Sequence, residues 1–149
     1  MLTHHAIENA GRAAHYFSAQ DDSYTKEEGG IWLGAGAQRL GLGGEVDPER
    51  FRTLLEGRLP DGRLIPMTFN VSMAAKRHGW DFTFSAPKSV SMQALIAGDR
   101  AVIEAHSKAV LAAVALMEKH VNARKKVWGR SHREQTGNLI AAAFQHELS

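Results

Sequence analysis

The chain of 149 residues contains no cysteine. That excludes a disulfide scaffold, a thiolate zinc module and a thiol nucleophile. No apolar run approaches the ~20 residues that a membrane span needs. The opening MLTHHAIENAG lacks the basic-then-apolar order of a secretion signal. The expectation is a soluble protein of the cytoplasm. The charge surplus is small: 18 Lys and Arg against 16 Asp and Glu, a formal net charge of +2. Overall charge therefore draws polyanions only weakly. There is no internal repeat, no low-complexity segment and no HExxH. At 44% hydrophobic and 23% charged residues the composition is that of a globular protein, and the length suits one domain with a real core.

A nucleotide-binding loop is also missing. The stretch Gly34-Ala35-Gly36-Ala37-Gln38-Arg39-Leu40-Gly41 invites that reading and fails it. Arg39 stands where the third glycine of GxGxxG belongs, and Leu42 stands where a Walker lysine is required. The stretch reads as a structural loop.

What the chain does have is uneven charge. Lys119 to Arg133 holds six Lys and Arg, an interleaved Trp128 and no carboxylate. Such a run can track a phosphate backbone and stack a base. Alone, it reads more simply as the solvated C-terminus of a helix, where cations suit the dipole.

Periodicity supplies the elements. Leu2 to Ile7 reads as a strand, with His4 and His5 on opposite faces. Asn9 caps a short helix with Ala10, Ala13, Ala14 and Phe17 at helical spacing. Ser18 to Gly44 reads as a long loop. Asp47 caps a helix with Pro48 at its first position, Phe51, Leu54 and Leu55 inward, and Gly57 as its stop. Pro60-Asp61-Gly62 is a turn. Arg63 to Val71 and Trp80 to Ser85 have strand character, the second alternating Phe82 and Phe84 with Asp81, Thr83 and Ser85. Lys88 to Ala97 is a helix broken by Gly98. Asp99 caps a long helix with Ile103, Val110, Val114, Met117 and Val121 on one face. Leu139 to His146 reads as a final strand.

Single residues are ambiguous. Eight histidines are a rich supply, but His4 and His5, adjacent on a strand, cannot share a metal. A lone His146 beside apolar residues is most simply structural, and Tyr16 beside Phe17 is most simply core packing. Asp81, between Trp80 and Phe82, must reach solvent, find a donor or suffer desolvation. Lys76, Arg77 and Lys88 flank Asp81 in sequence and are candidate phosphate contacts.

In order, however, these blocks form a pattern. Gly11-Arg12-Ala13-Ala14-His15-Tyr16-Phe17, Asp22-Ser23-Tyr24, Trp32-Leu33-Gly34-Ala35-Gly36-Ala37 and Gly44-Glu45-Val46 come first. Asp81-Phe82-Thr83-Phe84-Ser85-Ala86-Pro87-Lys88-Ser89-Val90-Ser91, Thr136-Gly137-Asn138-Leu139 and Phe144-Gln145-His146-Glu147-Leu148-Ser149 follow. Together they resemble a MobF-type conjugative relaxase along essentially the whole chain, and the DFTFSAPKSVS block is highly specific.

The resemblance implies a DNA strand transferase that nicks single-stranded DNA at an origin of transfer and stays joined to the 5′ phosphate through tyrosine. Tyr16 matches the first nucleophile and Tyr24 a later tyrosine able to perform a second transfer. Asp81 matches the carboxylate that orients a metal-binding histidine or takes the tyrosine proton, and His146 the first of three histidine ligands. The implied cofactor is a divalent metal (Mg, Mn or Zn). The implied partners, besides DNA, are accessory relaxosome proteins and a coupling protein. The family usually pairs two tyrosines where this chain has Tyr16-Phe17. Its downstream His-x-His is not reached before Ser149. Residues 1–149 are therefore expected to be the N-terminal half of a relaxase domain, inactive alone. Its alternative role is a non-cutting module that holds origin DNA. The expected fold is α+β: an incomplete palm-like (HUH endonuclease) antiparallel sheet with helices packed on one face.

Overall fold

The computed structural model describes residues 1–18, 29–65 and 77–145, without the side chains of residues 15–18. The fold is mixed α+β. Its elements run β1 (Leu2–Ile7), α1 (Ala10–Ser18), β2 (Ile31–Leu33), α2 (Ala35–Arg39), α3 (Pro48–Leu55), β3 (Gly79–Phe84), α4 (Lys88–Leu95), α5 (Arg100–Lys119), β4 (Asn122–Val127), β5 (Arg130–Gln135) and β6 (Ala141–Ala143). Among the described residues the strands pair two by two: β1 with β3, β2 with β6, β4 with β5. The expected strand from Arg63 to Val71 lies mostly outside the described residues; within them, Leu64 forms a single bridge to Arg58. No helix among the described residues is long and apolar enough to cross a membrane.

The chain divides into two compact units. The first is formed by the described parts of Met1–Ile31, Gly44–Ser85 and Phe144–Ser149. Its core is small. Ala10 and Ala14 of α1 and Leu55 of α3 are buried, with Ile7, Ala13 and Phe51 packed around them. Both helix starts use the side chains expected of them. Asn9 Oδ1 accepts from Arg12 N–H at 2.8 Å, and Asp47 Oδ1 accepts from Arg50 N–H at 2.8 Å. β1 and β3 are antiparallel, with Leu2 opposite Phe84, His5 opposite Asp81 and Ile7 opposite Gly79. At Gly79 an added Cβ would meet Ile7 and Leu55, so this end of the strand pair rests on the core. Phe144 packs edge-on against Phe51, with centroids 5.5 Å apart. In the turn after α3, Asp61 accepts from the backbone N–H and the guanidinium of Arg63. Those bonds, the backbone one first, lower its carboxyl below the usual carboxylate range.

The second unit is formed by Trp32–Gly43 and Ala86–Ala143. Here the glycine stretch differs from the expected loop. It follows β2 directly and contains all of α2, and the backbone of Leu139 runs directly against it. Gly36 N–H donates to Leu139 O at 2.8 Å. An added Cβ would come within 2.3 Å of that oxygen at Gly34 and within 2.7 Å at Gly36. Gly34 also has φ +98°, a conformation that L side chains rarely adopt. Ala37 then sits 1% exposed. Glu118 of α5 completes the join: its Oε1 accepts from Ala35 N–H at 2.7 Å and Leu139 N–H at 3.1 Å. Asp99 caps α5 by accepting from Ala101 N–H. α4 packs against α5, whose half-buried face carries Ile103, Val110, Val114 and Met117 as the periodicity predicts.

The largest departure follows α5. The basic run is not a helix end but a β-hairpin of β4 and β5. Lys, Arg and Asn are poor strand formers, so propensity hides it. The reversal is made by Trp128 (φ 51°) and Gly129 (φ 76°), the paired positive φ of a type I′ turn. Bonds to the end of α5 hold the base of the hairpin. Asn122 Nδ2 donates to His120 O at 2.7 Å, Gln135 Nε2 donates to Lys119 O, and Thr136 N–H donates to Val121 O at 2.8 Å.

Gly36→Ala is expected to destabilise the chain by about 1–3 kcal/mol, the usual cost of overpacking against atoms that cannot move. Gly34→Ala is expected to cost more, since it adds a disfavoured φ. Urea unfolding followed by circular dichroism checks both, with Gly43→Ala, at an open position, as the neutral control.

Candidate functional site

Directly opposed residues of an antiparallel pair share a face, and neighbours along a strand alternate. The β1–β3 register therefore sorts the residues around Asp81 into two sets. Asp81 shares its face with His5, directly across, and with Thr3, Thr83, Ile7 and Gly79. The other face carries Leu2, His4 and Ala6 against Phe84, Phe82 and Trp80. His4 belongs to an aromatic stack there: its ring centroid is 6.0 Å from Phe82 and 5.8 Å from Trp80. Of the two adjacent histidines, His5 is thus the one placed with the carboxylate.

Asp81 is half-buried and makes no ion pair among the described residues. It is a carboxylate available to a group brought to that face. Tyr16 lies, by its backbone, in the later part of α1, in the same unit as Asp81. Its side chain, Tyr24, Lys76 and His146 lie outside the described residues. The Arg77 guanidinium is 5.4 Å from the centroid of the Trp80 ring. Trp80 and Asp81 alternate along β3, so this contact is made to the aromatic face. Lys88 is the first residue of α4, exposed, and belongs to the second unit. His78 is structural: its Nδ1–H donates to Leu55 O at 2.8 Å, and its backbone N–H donates to Ile7 O.

Among the described residues, no group of three or more His, Asp or Glu could hold a metal ion. His5 and Asp81 supply two donors on one face, fewer than the three protein ligands of a catalytic site. These residues alone do not fit a resident metal.

The hairpin is a second, differently built surface. Its register places Asn122 opposite Gln135, Arg124 opposite Arg133 and Lys126 opposite Ser131 on one face. That face holds three cations, hydrogen-bonding amides and a hydroxyl, and no carboxylate. The other face holds Ala123 opposite Glu134, Lys125 opposite His132 and Val127 opposite Arg130. There the diagonal Lys125–Glu134 ion pair cancels part of the charge. Every residue from Arg124 to Gln135 is exposed. Like charges directly opposed, as Arg124 and Arg133 are, disfavour strand pairing and favour a polyanion laid across them. Arg, Asn and Gln are also the side chains that read base edges bidentately. The sequence offers one signal for this arrangement: two short polar runs of equal length about a central Trp-Gly.

The matches to known proteins agree along the chain. The family model of the TrwC relaxase matches residues 10–149. The multifunctional conjugation protein TraI of Escherichia coli is 43% identical over 150 residues, covering 100% of this chain and 8% of TraI. The solved structure of TrwC complexed with a 27-mer DNA comprising the recognition hairpin and the cleavage site superposes with a TM-score of 0.85 at 42% identity, over 100% of this chain and 50% of that one. The metal-bound structure of TrwC in complex with oriT DNA gives 0.87 at 44%, over 100% and 52%. The chain spans about half the length of those solved relaxases and a small part of TraI. With the relaxase signature running from α1 to the last residue, the chain belongs to the TrwC relaxase family.

Proposed function

We propose that this chain is the N-terminal, nucleophile-bearing part of a DNA relaxase that nicks one strand at an origin of transfer. The observation that carries the reading is the likeness, over the whole chain, to relaxases solved with DNA. The reaction is a transesterification. The Tyr16 oxygen attacks the scissile phosphorus, the P–O3′ bond breaks, and the DNA 3′ oxygen leaves as a hydroxyl once protonated. The 5′ phosphate stays on the tyrosine as a diester. No bond energy is lost to water, so rejoining needs no ATP. A phenol of ordinary pKa, ~10, is a weak nucleophile at neutral pH and needs a nearby base. Asp81 is assigned to accept that proton or to orient a histidine. Tyr24 is assigned to the second transfer.

His146 is proposed as one ligand of a divalent ion (Mg, Mn or Zn) that binds tightly only when further histidines are supplied from beyond Ser149. Accessory relaxosome proteins, a coupling protein and a cytoplasmic setting belong to the same proposal. DNA attachment is assigned to the carboxylate-free face of the hairpin, with Lys76, Arg77 and Lys88 as further phosphate contacts. This attachment does not depend on the nicking chemistry, which supports a second reading: a module that holds origin DNA without cutting it. Nicking and gel-shift assays on an origin oligonucleotide separate the two.

Three outcomes are expected. In a protein carrying this segment within a complete relaxase domain, Tyr16→Phe abolishes the covalent adduct on a denaturing gel and leaves DNA binding nearly intact; an undiminished adduct refutes the assignment. Residues 1–149 alone bind manganese weakly by calorimetry and do not nick; tight one-to-one binding with metal-dependent cleavage refutes the need for outside ligands. Arg124→Ala, Lys126→Ala and Arg133→Ala together lower the slope of log affinity against log salt by about 2–3, at ~0.7–0.9 for each phosphate no longer neutralised. The paired Lys125→Ala/Glu134→Ala change leaves that slope nearly unaltered, and an unchanged slope in the triple variant removes the hairpin from the interface.

A further inference from the structure

Trp128 is placed against every local preference. It is 99% exposed. It is the one non-glycine with positive φ among the described residues, in a turn position where Asn, Asp or Gly is favoured. A bulky residue at such a φ is an outlier, and a fully hydrated indole adds nothing to packing. Folding and solubility would both be served by Asn. An unfavourable conformation held at an exposed tip points to a function.

The surroundings say which one. Trp128 stands between Val127 and Gly129 at the end of the ribbon, with Arg124, Lys126, Arg130 and Arg133 along the two strands behind it. An exposed indole at the end of a ribbon that carries guanidinium and ammonium groups suits a nucleotide, whose base stacks on the indole while neighbouring phosphates meet the cations. Length decides which kind of base. Strands of six residues at ~3.4 Å per residue reach about 20 Å, beyond the ~12 Å width of a DNA major groove. With the cationic face laid in such a groove, the tip projects past it. There it meets bases without a partner on one side, in a loop, at a stem end or in the adjoining single strand. A base inside a duplex offers no free face without the cost of unstacking.

We propose that Trp128 is a stacking residue for an unpaired nucleobase at the boundary of a folded DNA strand, and so sets the structural specificity of the hairpin. This rests on the assignment of the hairpin to DNA under the proposed function.

The test compares the whole chain with Trp128→Asn and Trp128→Phe. Asn relieves the turn, so a loss of binding in that variant does not come from a misfolded hairpin. The probes are a fluorescein-labelled DNA stem-loop with a single-stranded 3′ extension and a blunt duplex of the same stem, measured by anisotropy at one salt concentration. Trp128→Asn is expected to weaken binding to the tailed stem-loop about 5- to 140-fold. That corresponds to the ~1–3 kcal/mol of one base stack at ~1.4 kcal/mol per tenfold. Binding to the blunt duplex is expected to change less than about twofold, and Trp128→Phe to keep most of the affinity. Equal losses on both probes, or no loss on either, overturn the proposal. So does loss of binding to phosphatidylserine vesicles with DNA affinity unchanged, which would make the tip a membrane contact. If the wild-type chain binds neither probe, the underlying assignment of the hairpin to DNA fails first, and that result is distinct from a failure of Trp128.

Discussion

The pairing register of β1 against β3 is the constraint on which the first unit depends. It sets His5 across from Asp81 and collects His4, Trp80 and Phe82 on the opposite face. It also seats Ile7 and Gly79 over Leu55. Hydrogen bonds hold it at both ends. Ser85 N–H donates to Met1 O, and His78 N–H donates to Ile7 O, each at 2.8 Å. A slip of one residue would exchange the faces of β1, carrying His4 to the carboxylate and the hydroxyl-bearing Thr3 into the aromatic stack. The chemistry of the face and the packing of the core are therefore fixed by the same hydrogen bonds.

The second unit solves a different problem. It supports an exposed basic hairpin in which no residue from Arg124 to Gln135 is even half-buried, so burial contributes little to holding it. Its stability comes from the backbone ladder and from the bonds of His120, Lys119 and Val121 carbonyls to its base. Behind it, Glu118 ties α5 to both α2 and Leu139. A carboxylate accepting two backbone N–H groups satisfies donors that neither a helix nor a strand would pair. The glycines at positions 34 and 36 allow the approach that this requires.

The two surfaces differ in the physics they offer. The Asp81 face is small, partly shielded and tied to the core, suited to holding reacting groups in fixed geometry. The hairpin is exposed and one-sided in charge, suited to long-range attraction and to contacts made over a length of chain. The proposed function uses both kinds: chemistry at one phosphate on the Asp81 face and a wider grip on DNA at the hairpin.

Local patterns determined much of this. Asn9, Asp47 and Asp99 each cap a backbone N–H close by in sequence, so their helices were legible from residue type and spacing. The strands around His5 and Asp81 were legible from alternation, and the family from the collinear blocks. Tertiary structure decided the rest, and in each case the deciding partner is far along the chain. Gly34 and Gly36 are shaped by Leu139, more than a hundred residues away. His5 rather than His4 joins Asp81 because strand pairing, not composition, chooses which neighbour is opposite. The basic run became a hairpin because charge and propensity do not reveal a turn whose first residue is a strained tryptophan. A sequence states what each residue prefers; only the fold sets which preference yields.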